Sequence, residues 1–158
     1  MRLLAPIVFF AYNRPEHTRL VLESLRNNRL ADESKLFIYI DGPKPGASEE
    51  TLAAIAEVKK AVREKQWCRE VSIVEATENK GLIKSNAEGV TRMVNEFGRV
   101  IAMEDDGLLS PGFLTYMNDA LDFYEDKPKV MHISAYRRPE LAIVEVKVPQ
   151  LSESVAEA

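Results

Sequence analysis

Residues 6–25 read PIVFFAYNRPEHTRLVLESL, and a change of period inside this stretch decides the fold. Pro6 to Tyr12 is a short run of β-branched and aromatic residues, which reads as a buried strand ending at the turn Asn13-Arg14-Pro15. Beyond that turn the apolar residues change spacing. Thr18, Val21, Leu22 and Leu25 fall at i, i+3, i+4 and i+7, one stripe of a helix, with Pro15 in the first turn, where a missing N–H does no harm.

The same unit recurs along the chain. Lys35 to Ile40 (KLFIYI) reads as a second strand, closed by Asp41-Gly42-Pro43-Lys44-Pro45-Gly46, whose glycine and proline content excludes regular structure. Ser48 has the character of an N-cap. Glu49 to Gln66 follows as a helix with Glu in its first turn, Lys and Arg near its end and a stripe of Leu52, Ile55, Ala56, Lys59 and Val62. It is expected to be the longest helix. Val71 to Glu75 is a third strand, and Leu82 to Phe97 a third helix with Val90, Met93, Val94 and Phe97 on one face. Arg99 to Met103 is a fourth strand. The order βαβαβαβ predicts an α/β fold: a mainly parallel, Rossmann-like sheet with helices on both faces and right-handed crossovers. His17 is expected at the surface. His132, in the apolar run KVMHISAY, is expected as a satisfied core histidine within a strand, and Trp67 and Cys68 as packing residues.

Ligands of such sheets bind beyond the carboxyl ends of the strands. The polar turns fall at that edge: Asn13-Arg14 after strand one, Asp41 to Lys44 after strand two, Glu78 to Gly81 after strand three, and Glu104-Asp105-Asp106 after strand four. Three adjacent carboxylates beside a buried strand repel one another and are partly desolvated, so cations, hydrogen bonds or water must compensate them. A divalent metal and plain solvation both answer that demand, and hard oxygen ligands suit Mg²⁺ or Mn²⁺. Plainer readings stand beside the other positions. Asp41-Gly42-Pro43 has the residues of an ordinary turn. Asn79-Lys80-Gly81 has those of a helix start, where glycine supplies backbone freedom. Arg14, Lys80 and Lys84 could each be solvated surface charges.

Composition limits the function classes. The 158 residues suit one domain with a proper core; 46% are hydrophobic and 29% charged, as in an ordinary globular protein. No apolar run approaches the ~20 residues of a membrane span. A net charge of −4 provides no basic footprint for nucleic acid. The lone Cys68 excludes an internal disulfide, and the first residues lack a signal-peptide pattern, so a cytoplasmic location is expected, with a peripheral position at a membrane left open. No G-x-G-x-x-G and no Walker phosphate loop occurs.

Taken together, PIVFFAYNRPEHTRLVLESL, FIYIDGPK, ENKGLIKSNAEGV and VIAMEDDGLLSPGFLTYMNDAL resemble nucleotide-sugar glycosyltransferases of the GT-A fold. The likeness is to the family 2 type and the bacterial relatives of N-acetylglucosaminyltransferase I, and it runs from about Ala5 to Tyr136. It implies a donor-binding domain over residues 1–138 that takes a nucleotide-diphosphate sugar, most commonly a UDP-sugar, with Mn²⁺ or Mg²⁺. Asn13, Arg14 and Asp41 would hold base and ribose. Asn79, Lys80 and Gly81 would lie near the donor, Glu104 and Asp105 would meet sugar or ribose, and Asp106 would ligate the metal. The transfer implied is inverting, to a hydroxyl of a glycan or lipid-linked acceptor. The acceptor-binding half and its catalytic base are expected beyond this sequence, leaving the catalytic residue unassigned. Gly107 and Ala135 depart from the family pattern, which has an apolar residue and a glycine there. Residues 139–158 instead resemble the start of a lipoyl domain from the succinyltransferase component of the 2-oxoglutarate dehydrogenase complex, without a lipoyl-lysine hairpin. Three other readings remain open: a non-catalytic nucleotide or sugar-nucleotide binding module, a folded remnant that binds nothing, and a nucleotidyltransferase, although the last usually carries a glycine-rich phosphate loop near its first strand.

Overall fold

The computed structural model describes residues 3–135. Four strands alternate with four α-helices: β1 (Ile7–Ala11), α1 (Pro15–Arg26), β2 (Lys35–Ile40), α2 (Glu49–Ala61), β3 (Glu70–Glu75), α3 (Leu82–Phe97), β4 (Ile101–Glu104) and α4 (Phe113–Phe123). The sheet is wholly parallel in the order β3-β2-β1-β4. The chain steps outward from β1 to β2 to β3, then crosses back to place β4 on the other side of β1. With right-handed crossovers, that reversal sends α3 to the face opposite α1 and α2.

The two packed layers show this division. Ile7, Phe9 and Ala11 point into the larger core with Val21, Leu22 and Leu25 of α1, Val58 of α2, and Leu114 and Met117 of α4. Val8 and Phe10 point the other way, onto Met93 of α3. All five residues of β1 are buried, as a central parallel strand covered on both faces requires. The Rossmann-like α/β fold expected from the sequence is the one found.

Helix α1 buries the four residues its spacing selects, Thr18, Val21, Leu22 and Leu25, with Pro15 in its first turn. Ser48 caps α2, its Oγ accepting from Thr51 N at 3.3 Å. The length expected for α2 needs correction: α2 has 13 residues and α3 has 16. Helix α2 tightens at its end, where Arg63 N donates to Lys60 O at 2.9 Å and Glu64 N to Ala61 O at 3.2 Å. Trp67 then folds back under the helix, 1% exposed, with Nε1 donating to Val62 O at 2.8 Å. The buried stripe of α2 is also rotated from the expected one. It runs through Ile55, Val58 and Ala61, while Leu52 and Ala56 face solvent. Lys59 faces Glu75 at the end of β3, with Nζ 2.8 Å from its carboxylate, and this bond holds the Glu75 carboxyl below the usual range. On α3, Met93 is buried as expected, but Val94 is exposed.

Helix α4 has no counterpart in the expected elements. It is tied down by two asparagines: Asn28 Oδ1 accepts from Leu114 N at 2.9 Å, and Asn118 Oδ1 accepts from Ala5 N at 2.9 Å. The expected strand around His132 is not formed over residues 129–135, and His132 is exposed rather than a core residue. The segment shares the wall of a groove with Val94, Phe97 and Val100 instead of pairing with β4; Ile133 packs against the larger core, while Met131 is exposed. The expected tail over 139–158 and its boundary lie outside the described residues. No described helix is long and apolar enough to cross a membrane.

Cys68 packs in the larger core, 3% exposed, and burial alone pushes its thiol up to about 12. The thiolate is the reactive form, so the folded protein is expected to resist Ellman's reagent near neutral pH and to react only after denaturation. Stoichiometric colour from native protein within minutes would contradict this burial.

Candidate functional site

The polar turns converge above the β1/β4 junction, where the strand order reverses and open α/β sheets place their ligands. They enclose a cavity of about 430 Å³, within the ~300–1,000 Å³ usual for small-molecule sites. Asn13, Arg14, Asp41, Asn79, Gly81, Glu104 and Asp105 line it. Lys80 and Asp106 stand outside the lining.

Asp41 uses both of its oxygens on the loops around it. Oδ1 accepts from Gly42 N at 2.9 Å and Lys80 N at 2.8 Å; Oδ2 accepts from Gly81 N at 2.9 Å and Asn79 Nδ2 at 3.0 Å. A carboxylate offers about four lone-pair sites, so this one is fully engaged. Asn79 Nδ2 also reaches Gly42 O at 2.9 Å, and Asn79 N donates to Pro43 O at 3.2 Å. Asp41 and Asn79 therefore clamp the turn after β2 to the turn after β3. Gly42 permits that closeness: a Cβ there would lie 2.5–2.6 Å from the backbone of Glu78. Gly81, at φ +77°, turns the chain from the clamp into α3.

Arg14 joins the other two turns. Its Nε donates to Asp105 Oδ2 at 3.2 Å, and its Nη2 pairs with Asp105 Oδ1. The Asp105 side chain is only 5% exposed while that of Arg14 is 47% exposed, so the guanidinium neutralises a buried carboxylate from the solvent side. The Lys80 side chain is engaged outside the lining. Its ammonium bonds Glu88 Oε2 at 2.6 Å, which raises the lysine's pKa and lowers that of Glu88.

Glu104 Oε1 accepts from Asn86 Nδ2 at 2.8 Å, and Asp106, two residues on, is exposed to solvent. Among the described residues, no three His, Cys, Asp or Glu side chains gather into a metal-binding group. A Mg²⁺-like ion held mainly by a diphosphate needs only one or two protein carboxylates. Glu104 keeps Oε2 free of described partners, as Asp106 does its whole carboxylate, so the oxygen donors present fit such an ion.

Other lining residues escaped the sequence reading. Lys44 is a cation on the cavity wall without a described carboxylate partner. Tyr39 and Asn86 line the wall formed by β2 and α3. Tyr39 looked like one more apolar strand residue and Asn86 like one more polar helix residue; only the Asp41-Gly42-Pro43-Lys44 turn carried a signal that could have singled out Lys44.

No protein-family profile and no curated protein matches the chain. Two crystal structures of S. aureus TarS match its fold at 13% identity. One, of residues 1–349, has a TM-score of 0.48, with 78% of this chain and 33% of that chain covered. The other has a TM-score of 0.47, with 78% of this chain and 20% of that chain covered. This chain thus spans a third or less of the TarS chains it matches.

Proposed function

We propose that the cavity binds a nucleotide-diphosphate sugar, and that this chain provides the donor-binding part of an inverting glycosyltransferase. The observation that carries the reading is the convergence of seven expected donor-site residues on one cavity at the topological switch point. The Asp41–Asn79 clamp and the Arg14–Asp105 pair keep that cavity in shape before any ligand arrives. Lys44, a wall cation without a carboxylate partner among the described residues, would meet phosphate oxygens. Asn13 and the backbone around Asp41 would meet base and ribose. In the reaction, the bond between the sugar's anomeric carbon and the diphosphate oxygen breaks as an acceptor hydroxyl attacks the opposite face. The base that takes the hydroxyl proton is not assigned among the described residues.

Asp106, with Glu104, would hold Mn²⁺ or Mg²⁺ at the cavity rim. Such an ion supplies Lewis-acid stabilisation of the departing diphosphate. Calorimetric titration with UDP and UDP-N-acetylglucosamine is expected to give saturable binding that strengthens with Mn²⁺. Asp106→Ala should weaken the Mn²⁺-dependent binding by at least about tenfold. A folded parent that takes up neither nucleotide would overturn the proposal.

A further inference from the structure

Two polar atoms in the cavity wall are buried without a hydrogen-bond partner among the described residues: Tyr39 Oη and Asn86 Oδ1. Buried polar atoms are nearly always paired, because an orphaned one costs stability, so two beside one cavity call for an explanation. The Asn86 amide is oriented by its neighbour. A carboxylate only accepts, so Nδ2 must be the atom that meets Glu104 at 2.8 Å, and Oδ1 is left as the open acceptor. Tyr39 cannot easily swing away. Its ring packs on Phe10 with centroids 5.6 Å apart, and Gly89 brings α3 so close that a Cβ would stand 2.8 Å from the Phe10 ring and 3.6 Å from that of Tyr39.

We infer that Tyr39 and Asn86 form a neutral reading pair, with Asn86 Oδ1 accepting from an O–H or N–H of the ligand's nucleoside portion and Tyr39 Oη bonding an adjacent oxygen. This rests on the proposed nucleotide site and adds which part of the ligand meets the β2/α3 wall. A phosphate oxygen at neutral pH is chiefly an acceptor and leaves Asn86 Oδ1 unsatisfied. A ribose hydroxyl or a base N–H satisfies it.

Tyr39→Phe tests the pair cleanly, because it removes the orphaned hydroxyl and keeps the ring. The four ribonucleosides and inorganic pyrophosphate are titrated into the parent and the variant, and thermal unfolding of both is followed. At least one ribonucleoside should bind the parent and bind Tyr39→Phe about 2–10-fold more weakly. Pyrophosphate should bind both alike, and the melting temperature should stay unchanged or rise. The 2′-deoxy form of the bound nucleoside then separates the two donors: lost binding assigns the ribose hydroxyl, retained binding the base. A lowered melting temperature in Tyr39→Phe would mean that the hydroxyl already serves the fold, and overturns the inference. Equal nucleoside affinity in the two proteins, or binding of pyrophosphate without any nucleoside, overturns it while leaving a phosphate-binding cavity. A folded parent that binds none of these probes overturns the inference, while the proposed function stands or falls with the UDP and UDP-N-acetylglucosamine titrations.

Discussion

Replacing Gly42 by alanine is expected to lower the melting temperature by roughly 3–10 °C, from an overpacking cost of about 1–3 kcal/mol. The added Cβ would meet the Glu78 carbonyl carbon at 2.5 Å and its nitrogen and oxygen at 2.6 Å. All three are backbone atoms, so no side chain can rotate away to relieve the clash. The turns after β2 and β3 must separate instead, pulling Lys80 N, Gly81 N and Asn79 Nδ2 away from the Asp41 carboxylate that now holds them. Ligand binding should fall with stability, since both turns line the cavity. Gly107→Ala is the control. A Cβ there has nothing within 4 Å, and its melting temperature should match the parent. Equal melting temperatures for Gly42→Ala and Gly107→Ala would disprove the close packing of the two turns.

Arg14→Ala should cost about 2–3 kcal/mol in urea unfolding, less than the 3–5 typical of breaking a fully buried pair because Arg14 is half exposed and water can partly replace it. Its main consequence is a buried Asp105 without its bidentate cation. Asp105→Asn should cost less, since the arginine it releases can turn into solvent. The double variant should recover much of the loss caused by Arg14→Ala, because it removes the stranded charge as well. A double-mutant cycle reads the coupling directly. Strictly additive effects would show that the two residues do not depend on each other.

The fold was legible because it rests on period. The run Ile7–Ala11 is apolar at every position, and α1 repeats its apolar residues at helical spacing, signals that need no knowledge of distant partners. The end of α2 was not, because it depends on where Trp67 returns to the core. Nor was the conformation around His132, since an apolar run does not reveal whether a sheet edge or a helix surface will receive it. At the site, topology brought the expected turns together, but the employment of each side chain was hidden. Asp41 reads as a ligand-binding acid and is fully engaged by four donors from the loops. Tyr39 reads as strand filler, and its hydroxyl becomes notable only once Gly89 has drawn α3 onto the sheet.

The strand order also bears on when the cavity exists. Pairing β1 with β2 joins residues about thirty positions apart, as Ile7 with Leu36, whereas pairing β1 with β4 joins Ile7 with Ile101. The second closes a much longer loop, gains only four residue pairs, and among the described residues leaves β4 at the edge of the sheet. Local opening favours such peripheral, thinly paired elements over the centre of a sheet. Amide hydrogens of β4 should therefore exchange sooner than those of β1, and with β4 goes the Arg14–Asp105 junction. The cavity is thus expected to assemble late and open early, and the proposed nucleotide, once bound there, would act as the rivet that holds β4 in the sheet.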